Sequence, residues 1–172
     1  MDIFIPDVYQ SNIYKIDYKK LKKNGIKCLL FDLDNTLVSY KTKEPDIKVK
    51  ELISLLEQDF KVIIMSNSNK ERLRPFKEQL NIDVAFRSHK PFRAKYEKIL
   101  DLYKYKENEI ACIGDQLLTD ICGANRMGFT SILIDRIDKW EIIPTRFNRI
   151  IEKFILIGFK KKKILVKGEY YD

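Results

Sequence analysis

Residues 29–38 read Leu-Leu-Phe-Asp-Leu-Asp-Asn-Thr-Leu-Val, and an apolar run that begins at Cys28 leads into this pair of carboxylates. A short, continuous apolar run bounded by polar residues is typical of a buried strand in a parallel sheet. Side chains two residues apart on an extended segment point to the same side, so Asp32 and Asp34 can converge beyond the strand. A cation that prefers oxygen ligands, such as Mg²⁺, would relieve their repulsion. The alternative interpretation of this stretch alone is a solvated acidic turn after a core strand.

The rest of the chain alternates between strand and helix patterns. Strands are predicted at 26–33, 61–65, 82–86, 109–113 and 129–134, and helices near 17–24, 45–56, 70–80, 91–103 and up to 127. Strands that alternate with helices of this length form parallel βαβ units. We therefore predict a single α/β domain over residues 1–143, with a doubly wound, mainly parallel sheet and helices on both faces. Residues 1–16 form an N-terminal extension that is expected to pack across the domain outside the main sheet.

Composition and charge limit the class of protein. Of 172 residues, 45% are apolar and 34% are charged, as in globular rather than disordered proteins. The N-terminus does not have the pattern of a signal peptide, and no apolar run approaches the ~20 residues of a transmembrane helix. Three cysteines without C-x-x-C spacing and one histidine give no zinc-binding set and indicate reduced thiols in a cytoplasmic protein. The net charge of +8 favours an anionic partner, which is nucleic acid, anionic lipid or a phosphorylated substrate.

Polar residues follow the predicted strands where a parallel sheet gathers its ligands. Ligands of an open parallel sheet bind outside the carboxyl ends of the strands. Asp32 and Asp34 follow the first predicted strand, Ser66 follows the second, and Asp115 follows the fourth. Lys90 lies in the loop after the third strand. We expect these side chains to converge on one pocket, although each alone is also an ordinary turn, cap or surface residue.

The pattern Asp-x-Asp-x-Thr-Leu-Val after an apolar strand resembles the first motif of the haloacid dehalogenase (HAD) superfamily of phosphatases. The resemblance implies that Asp32 is the nucleophile that attacks phosphorus. It implies that Asp34 protonates the leaving group and later activates water, and that both residues help to hold Mg²⁺, Asp34 through its backbone carbonyl. Thr36 is expected to brace the loop. A carboxylate nucleophile divides phosphoester hydrolysis into two displacements, and the cation neutralises charge on the transferred phosphoryl group.

Three further segments resemble the remaining HAD motifs in family order. The resemblance implies that Ser66, with the backbone N–H of Asn67, binds the phosphoryl oxygens and that Lys90 binds them as a cation. Asp115, in the pattern Gly-Asp-x-x-x-x-Asp, is expected to be the distal Mg²⁺ ligand. Asp120, the last residue of that pattern, is expected to hold metal-bound water or Asp115 itself.

The spacing of the motifs leaves no room for a cap domain. Residues 35–65 accommodate a loop and a helix before the second strand, and residues 67–89 accommodate a helix and a short strand. The site should then be open, which suits a macromolecule or a lipid in a membrane. Segments at 25–27 and 114–128 resemble the YqeG-like branch of the superfamily, which includes mitochondrial and plastid phosphatidylglycerophosphate phosphatases. This resemblance implies hydrolysis of phosphatidylglycerophosphate to phosphatidylglycerol.

Residues 144–172 are predicted to form a second element, an amphipathic helix with a basic tail. Thr145 can cap the helix, and four apolar side chains would share one face. These are Phe147, Ile150, Ile151 and Phe154. Lysines follow at 160–163, and an apolar cluster beside basic residues is what an anionic membrane surface attracts. The alternative, compatible with the first, is a helix packed on the domain with a solvated tail. The protein is thus expected to be cytoplasmic and peripheral on the inner membrane face.

Two other functions remain open at this point. The basic charge also suits a capless HAD phosphatase that acts on nucleic-acid ends or phosphoproteins, although no aromatic and basic platform for single strands is evident. A HAD scaffold can also serve as a non-enzymatic RNA-associated or ribosome-associated module. Such a module is expected to lack a carboxylate of the first motif, and both are present. The sequence leaves open the true substrate, the oligomeric state and the role of His89.

Overall fold

The strand that leads into Asp32 lies inside a six-stranded sheet whose neighbouring strands are all parallel. The computed structural model describes residues 2–140, 143–162 and 164–169. Across the sheet the strands are Val8–Gln10 (β1), Thr130–Ile134 (β6), Ile110–Gly114 (β5), Cys28–Phe31 (β2), Lys61–Met65 (β3) and Asp83–Ala85 (β4). The helices are Tyr18–Lys23 (α1), Ile47–Leu56 (α2), Lys70–Leu80 (α3), Ala94–Tyr103 (α4), Cys122–Met127 (α5) and Ile143–Lys162 (α6). A π-helical turn, Leu117–Ile121, leads directly into α5.

Alternate residues of β2 face two separate apolar layers, because successive side chains of a strand point to opposite faces of the sheet. Leu29 and Phe31 belong to a layer that includes buried residues of α1, α2 and α3. Leu30 belongs to a second layer that includes buried residues of α4 and α5. The predicted α/β class, with a doubly wound sheet and helices on both faces, is confirmed.

Polar caps fix where several helices begin. The side chains of Asp17, Asp46 and Asn69 each accept a hydrogen bond from the backbone N–H three residues later. Each bond satisfies one of the N–H groups that a helix start leaves unpaired. Because Asn69 caps α3, this helix begins directly after the segment 66–69, and its N-terminus lies at the carboxyl end of β3.

The N-terminal segment differs from the prediction. Residues 1–16 were expected outside the main sheet, which is wrong, because β1 pairs in parallel with β6 and places Val8 beside Ile132. The Asp7 carboxylate holds this edge strand by accepting hydrogen bonds from the backbone N–H and the hydroxyl of Ser131, at 2.8 and 3.2 Å. A strand of three residues has too few side chains to show an alternating pattern, so periodicity could not reveal it.

The C-terminal helix is longer than the prediction. It begins two residues before Thr145, which therefore lies in its first turn and does not cap it, and it continues to Lys162. Most of the predicted basic tail is thus helical, and Lys163 lies outside the described residues. After α6 the chain returns to the sheet edge, where the N–H of Gly168 donates to the carbonyl of Tyr9 at 2.7 Å. In the described part of the chain, no helix has both the length and the apolar character that crossing a membrane requires.

The absence of a cap domain is confirmed for the described residues. Between Asp34 and Ser66 the chain forms a loop, α2 and β3, and between Ser66 and Lys90 it forms α3, β4 and a turn. Both helices belong to the layer that covers one face of the sheet. Neither interval therefore builds a separate unit over the strand ends.

The close packing of α5 on α4 leads to a testable prediction at Gly123. A β-carbon here would lie 2.3 Å from the hydroxyl oxygen of Tyr96, which is fully buried. Because the buried Tyr96 side chain would have to shift, Gly123→Ala should lower the free energy of unfolding by about 1–3 kcal/mol in urea denaturation. Gly158→Ala in α6 is the matched control, since nothing lies within 4 Å of its β-carbon. Similar losses in both variants would contradict this account.

Candidate active site

The carboxyl ends of the parallel strands bring the predicted residues to one edge of the sheet. Asp32, Ser66 and Asp115 are the first residues beyond β2, β3 and β5, and the loop after β4 carries Lys90 to Asp32. All four side chains are buried, and none is more than 8% exposed. This burial excludes the solvated acidic turn that the sequence alone left open.

Lys90 joins two carboxylates. Its Nζ donates hydrogen bonds to Asp32 at 2.7 Å and to Asp120 at 2.6 Å. Burial lowers the pKa of Lys90, but the two carboxylates outweigh burial and raise it above its ordinary value. Burial raises the pKa of Asp32 well above its ordinary value; Lys90 opposes this rise, and the charges of Asp120 and Asp115 add to it. The ammonium therefore stays charged, and a further cation would favour the ionised form of Asp32.

Three buried carboxylates form an oxygen-lined group at this edge. One oxygen each from Asp32, Asp115 and Asp120 lies within 4.8 Å of the others. Burial raises the pKa of Asp115 to about 7, although Arg149 opposes the rise. The hydroxyl of Thr36 donates to the Asp115 carboxylate at 3.2 Å. Carboxylate oxygens are suitable Mg²⁺ ligands, and a divalent cation would lower both raised pKa values, so this donor set fits the metal that the resemblance implies.

The π-helical turn after β5 brings Asp120 into this group. Its carboxylate accepts hydrogen bonds from Lys90 and from the backbone N–H of Gln116, the latter at 3.1 Å. A β-carbon on Gly114 would lie 2.2 Å from Cγ of Asp120. Glycine at this position therefore allows the close approach of Asp120 to the end of the strand.

The Asp34 carboxylate is not part of this group and is held by two residues that sequence reasoning missed. Arg72 donates from Nε and Nη2 to one carboxylate oxygen, at 3.0 and 2.8 Å. The hydroxyl of Ser68 donates to the other oxygen at 2.7 Å. The guanidinium of Arg72 also lies over the ring of Tyr40, 5.7 Å from its centre. The available signal was their position in sequence. Ser68 and Arg72 lie around the start of the helix that follows the second motif, and this helix start is at the edge of the sheet that carries Asp34.

Hydrogen bonds tie the second motif to the third. The side-chain amide of Asn67 accepts from the N–H of Lys90 at 2.7 Å and donates to its carbonyl at 3.3 Å. The hydroxyl oxygen of Ser66 accepts from the backbone N–H of Ser68 at 3.1 Å. These bonds hold Lys90 and the turn at Ser66 in fixed positions. His89, in contrast, is exposed and does not line the cavity above these residues.

A cavity of about 320 Å³ lies above these side chains. Asp32, Ser66 and Lys90 line it, and α6 contributes Thr145 and Asn148. The site was expected to be open because no cap domain is present. The C-terminal helix forms one wall of the cavity, which the spacing of the motifs could not reveal because the helix lies beyond the last motif.

The inner face of α6 also contacts the carboxylate group. Arg149 pairs with the carboxylate of Asp115 and donates to its backbone carbonyl at 2.7 Å. Glu152, which is buried, accepts from Arg149 at 2.8 Å and from the backbone N–H of Leu118 at 2.9 Å. Sequence reasoning missed these contacts. The available signal was an arginine and a glutamate one helical turn apart on the face opposite the apolar one.

Comparison with known proteins identifies the family. A family model described as "Mitochondrial PGP phosphatase", where PGP denotes phosphatidylglycerophosphate, matches residues 1–137. The chain belongs to this family. It is therefore a phosphatase of the HAD superfamily and of its branch with YqeG and the PGP phosphatases.

Two similar proteins support the assignment, and one solved structure shares the fold. The Bacillus subtilis (strain 168) protein named "Probable phosphatase YqeG" is 36% identical over 160 residues, 92% of this chain and 93% of that protein. The Arabidopsis thaliana "Phosphatidylglycerophosphate phosphatase 1, chloroplastic/mitochondrial" is 24% identical over 147 residues, 80% of this chain and 42% of that protein. A HAD family enzyme from Bacteroides thetaiotaomicron, solved as an Asp-to-Ala mutant with magnesium and inorganic phosphate, has a TM-score of 0.55 at 12% identity; the match covers 68% of this chain and 98% of that chain. This last similarity concerns the fold alone.

The raised pKa of Asp115 leads to a prediction for the metal-free protein. Burial raises this pKa from 3.8 to about 7. Between these values the folded protein binds more protons than the unfolded chain, so this group lowers stability as the pH rises. In EDTA, the free energy of unfolding of Asp115→Asn should therefore increase relative to wild type between about pH 4 and about pH 8.

Urea denaturation at a series of pH values measures this difference. Asp101→Asn, which changes an exposed carboxylate on α4, is the matched control and should show no such trend. A difference between Asp115→Asn and wild type that stays constant with pH would argue against the assigned titration.

Proposed function

We propose that the chain hydrolyses phosphatidylglycerophosphate to phosphatidylglycerol and phosphate, in a Mg²⁺-dependent reaction through an aspartyl-phosphate on Asp32. The observation that carries the proposal is the buried Asp32 carboxylate, which lines the cavity, accepts a hydrogen bond from Lys90 and lies within 4.8 Å of two further carboxylate oxygens. Family membership supports the lipid substrate. The protein would act as a cytoplasmic protein that attaches peripherally to the inner membrane face.

In the first displacement, a carboxylate oxygen of Asp32 attacks phosphorus, and the bond between phosphorus and the ester oxygen breaks. Asp34 donates a proton to the departing alkoxide. Lys90, the hydroxyl of Ser66 and the backbone N–H of Asn67 bind the phosphoryl oxygens that do not react. Donors fixed in a buried site stabilise the charge of the transition state more than the same donors would in water.

In the second displacement, Asp34 takes a proton from a water molecule, whose oxygen attacks phosphorus. The bond between phosphorus and Asp32 breaks, phosphate leaves, and both carboxyl groups return to their initial states. Arg72 and Ser68 hold the Asp34 carboxylate through three hydrogen bonds, so they position it for both proton transfers. Nucleophilic catalysis of this kind replaces one difficult step by two easier ones.

The Mg²⁺ site would consist of the carboxylates of Asp32 and Asp115 and the backbone carbonyl of Asp34. Bound there, the ion supplies positive charge that polarises and neutralises the phosphoryl group. Asp120 is the supporting residue, because its carboxylate already accepts hydrogen bonds from Lys90 and the backbone N–H of Gln116. Thr36 supports Asp115 in the same way.

The cavity and its surroundings suit a phospholipid. Its volume of about 320 Å³ is at the lower end of ligand pockets, which range over about 300–1,000 Å³. A glycerophosphate headgroup can enter such a space, whereas two acyl chains would remain outside. The loops after β4 and β6 expose apolar side chains: Phe92 is 67% exposed, Ile137 52% and Trp140 45%. The backbone carbonyl of Trp140 accepts a hydrogen bond from the cavity residue Asn35 at 3.3 Å, and the N–H of Ile137 donates to the carbonyl of Asn35 at 3.1 Å, so Ile137 and Trp140 lie beside the site.

Phosphate release from phosphatidylglycerophosphate in mixed detergent micelles with Mg²⁺ tests the proposal. Wild type should turn over the lipid faster than soluble glycerol 3-phosphate. Asp32→Asn should lose at least about a thousandfold in rate, because it lacks the nucleophile. Asp101→Asn, on the surface of α4, should keep the wild-type rate.

Other outcomes of this assay separate the alternatives. Equal turnover of glycerol 3-phosphate would contradict the lipid substrate and retain the phosphatase. Turnover of a 5′-phosphorylated oligonucleotide or a phosphopeptide, without turnover of the lipid, would favour the corresponding macromolecular substrate. If the Mg²⁺-loaded protein turns over none of these, the proposed reaction is wrong.

Metal dependence is a separate prediction. EDTA should abolish phosphate release, and added Mg²⁺ should restore it. Because a ligand that binds only the folded state stabilises it, Mg²⁺ at a hundred times its Kd should stabilise wild type by about 2.7 kcal/mol. Asp115→Asn should lose most of this gain in thermal unfolding, whereas Asp101→Asn should retain it. An equal Mg²⁺ effect in all three proteins would place the metal elsewhere.

A further inference from the structure

The two faces of α6 are inverted relative to an ordinary surface helix. An amphipathic helix on a globular domain normally buries its apolar stripe and exposes its polar face. Here the face that meets the domain carries Glu152 and Phe159, both buried. The opposite face carries an apolar row at helical spacing, which we name the outer stripe. Its exposed fractions are 79% for Ile143, 65% for Phe147, 57% for Ile150 and 70% for Phe154.

The exposed charges beside the outer stripe are all basic within 143–162. Arg146, Lys153, Lys161 and Lys162 are exposed, whereas Glu152 is buried and paired with Arg149. An apolar stripe flanked by cations matches the surface of a bilayer that contains anionic lipids, because the apolar side chains enter the acyl boundary and the cations meet the headgroups. A second copy of the same stripe would instead bring like charges together.

The outer stripe also lies close to the active site. Thr145 and Asn148, on the inner side of α6, line the cavity. An α-helix with its side chains is about 10 Å across. A surface in contact with the outer stripe is therefore separated from the cavity by roughly the width of one helix. Trp140 precedes α6 at the same end and is partly exposed.

We propose that the outer stripe of α6 and its flanking basic side chains bind the surface of an anionic phospholipid bilayer. This contact would hold the active-site cavity beside the bilayer that contains the phospholipid substrate. In that respect the inference rests on the proposed function. The binding itself requires neither the metal nor turnover, so it is measured independently of catalysis.

Co-sedimentation of the full chain with vesicles tests this surface. The vesicles contain phosphatidylcholine with about one third phosphatidylglycerol. The double variant Phe147→Ser/Phe154→Ser should bind them at least about tenfold more weakly than wild type, because it removes two large apolar side chains from the stripe. The matched control is Leu55→Ser/Leu102→Ser on α2 and α4, whose side chains are 61% and 68% exposed. It should bind like wild type, and thermal unfolding should show both variants folded.

Two further measurements test the role of the basic side chains of α6 and the orientation of the protein on the bilayer. Lys153→Gln/Lys161→Gln should weaken binding to the anionic vesicles, and vesicles of pure phosphatidylcholine should bind wild type more weakly. Trp140 is the single tryptophan of the chain. Its fluorescence should shift to shorter wavelength on binding and should be quenched by brominated lipid.

Several results would overturn the proposal. These are wild-type protein that does not bind the anionic vesicles, equal binding by the Phe147→Ser/Phe154→Ser variant, or a wild-type dimer in analytical ultracentrifugation that this variant dissociates. The last result would make the stripe an interface between two copies. Turnover of phosphatidylglycerophosphate in detergent micelles without vesicle binding would refute this inference and leave the proposed function intact. Vesicle binding through the outer stripe without turnover of phosphatidylglycerophosphate would support this inference and contradict the proposed function.

Discussion

The burial of several carboxylates beside one another is the constraint on which the rest of the structure depends. Asp32, Asp115 and Asp120 are each at most 7% exposed. A buried carboxylate without a partner is costly, and removing one partner of a buried ion pair typically costs about 3–5 kcal/mol. The compensating cations come from distant parts of the chain, Lys90 from the loop after β4 and Arg149 from α6. The site is therefore complete only when the loops and the last helix pack around the sheet edge.

The parts of this arrangement that local sequence encodes could be predicted. Continuous apolar runs identified β2 and β3 as buried parallel strands, and the helix predicted near residues 70–80 corresponds to α3. Once the sheet was predicted to be parallel, chain order alone placed Asp32, Ser66 and Asp115 at a common edge. These three side chains do lie together at that edge. The carboxyl ends of parallel strands lie at the same edge of a sheet, and this does not depend on the sequences of the connecting helices.

The parts that depend on tertiary packing could not be predicted. Arg72 lies 38 residues from Asp34, and Arg149 lies 34 residues from Asp115. In sequence both read as ordinary surface arginines on amphipathic helices. β1 was missed for a related reason, since its place in the sheet depends on pairing with β6, 124 residues away. Sequence patterns contain information on neighbours within a few helical turns of a residue. The long-range contacts of Arg72, Arg149 and β1 form only when the helices and the sheet pack together.

The orientation of α6 about its own axis determines both which side chains contact the active site and which side chains are exposed. The sequence pattern correctly separated an apolar face from a charged one, but it could not decide which of them meets the domain. Half a turn of rotation would bury Phe147 and Phe154, which hydrophobic burial favours. It would also withdraw Arg149 from Asp115 and expose Glu152, leaving a buried carboxylate without its cation and the N–H of Leu118 without its acceptor. The electrostatic requirement of the active site thus fixes the orientation of the helix, and the exposure of its apolar stripe follows from it.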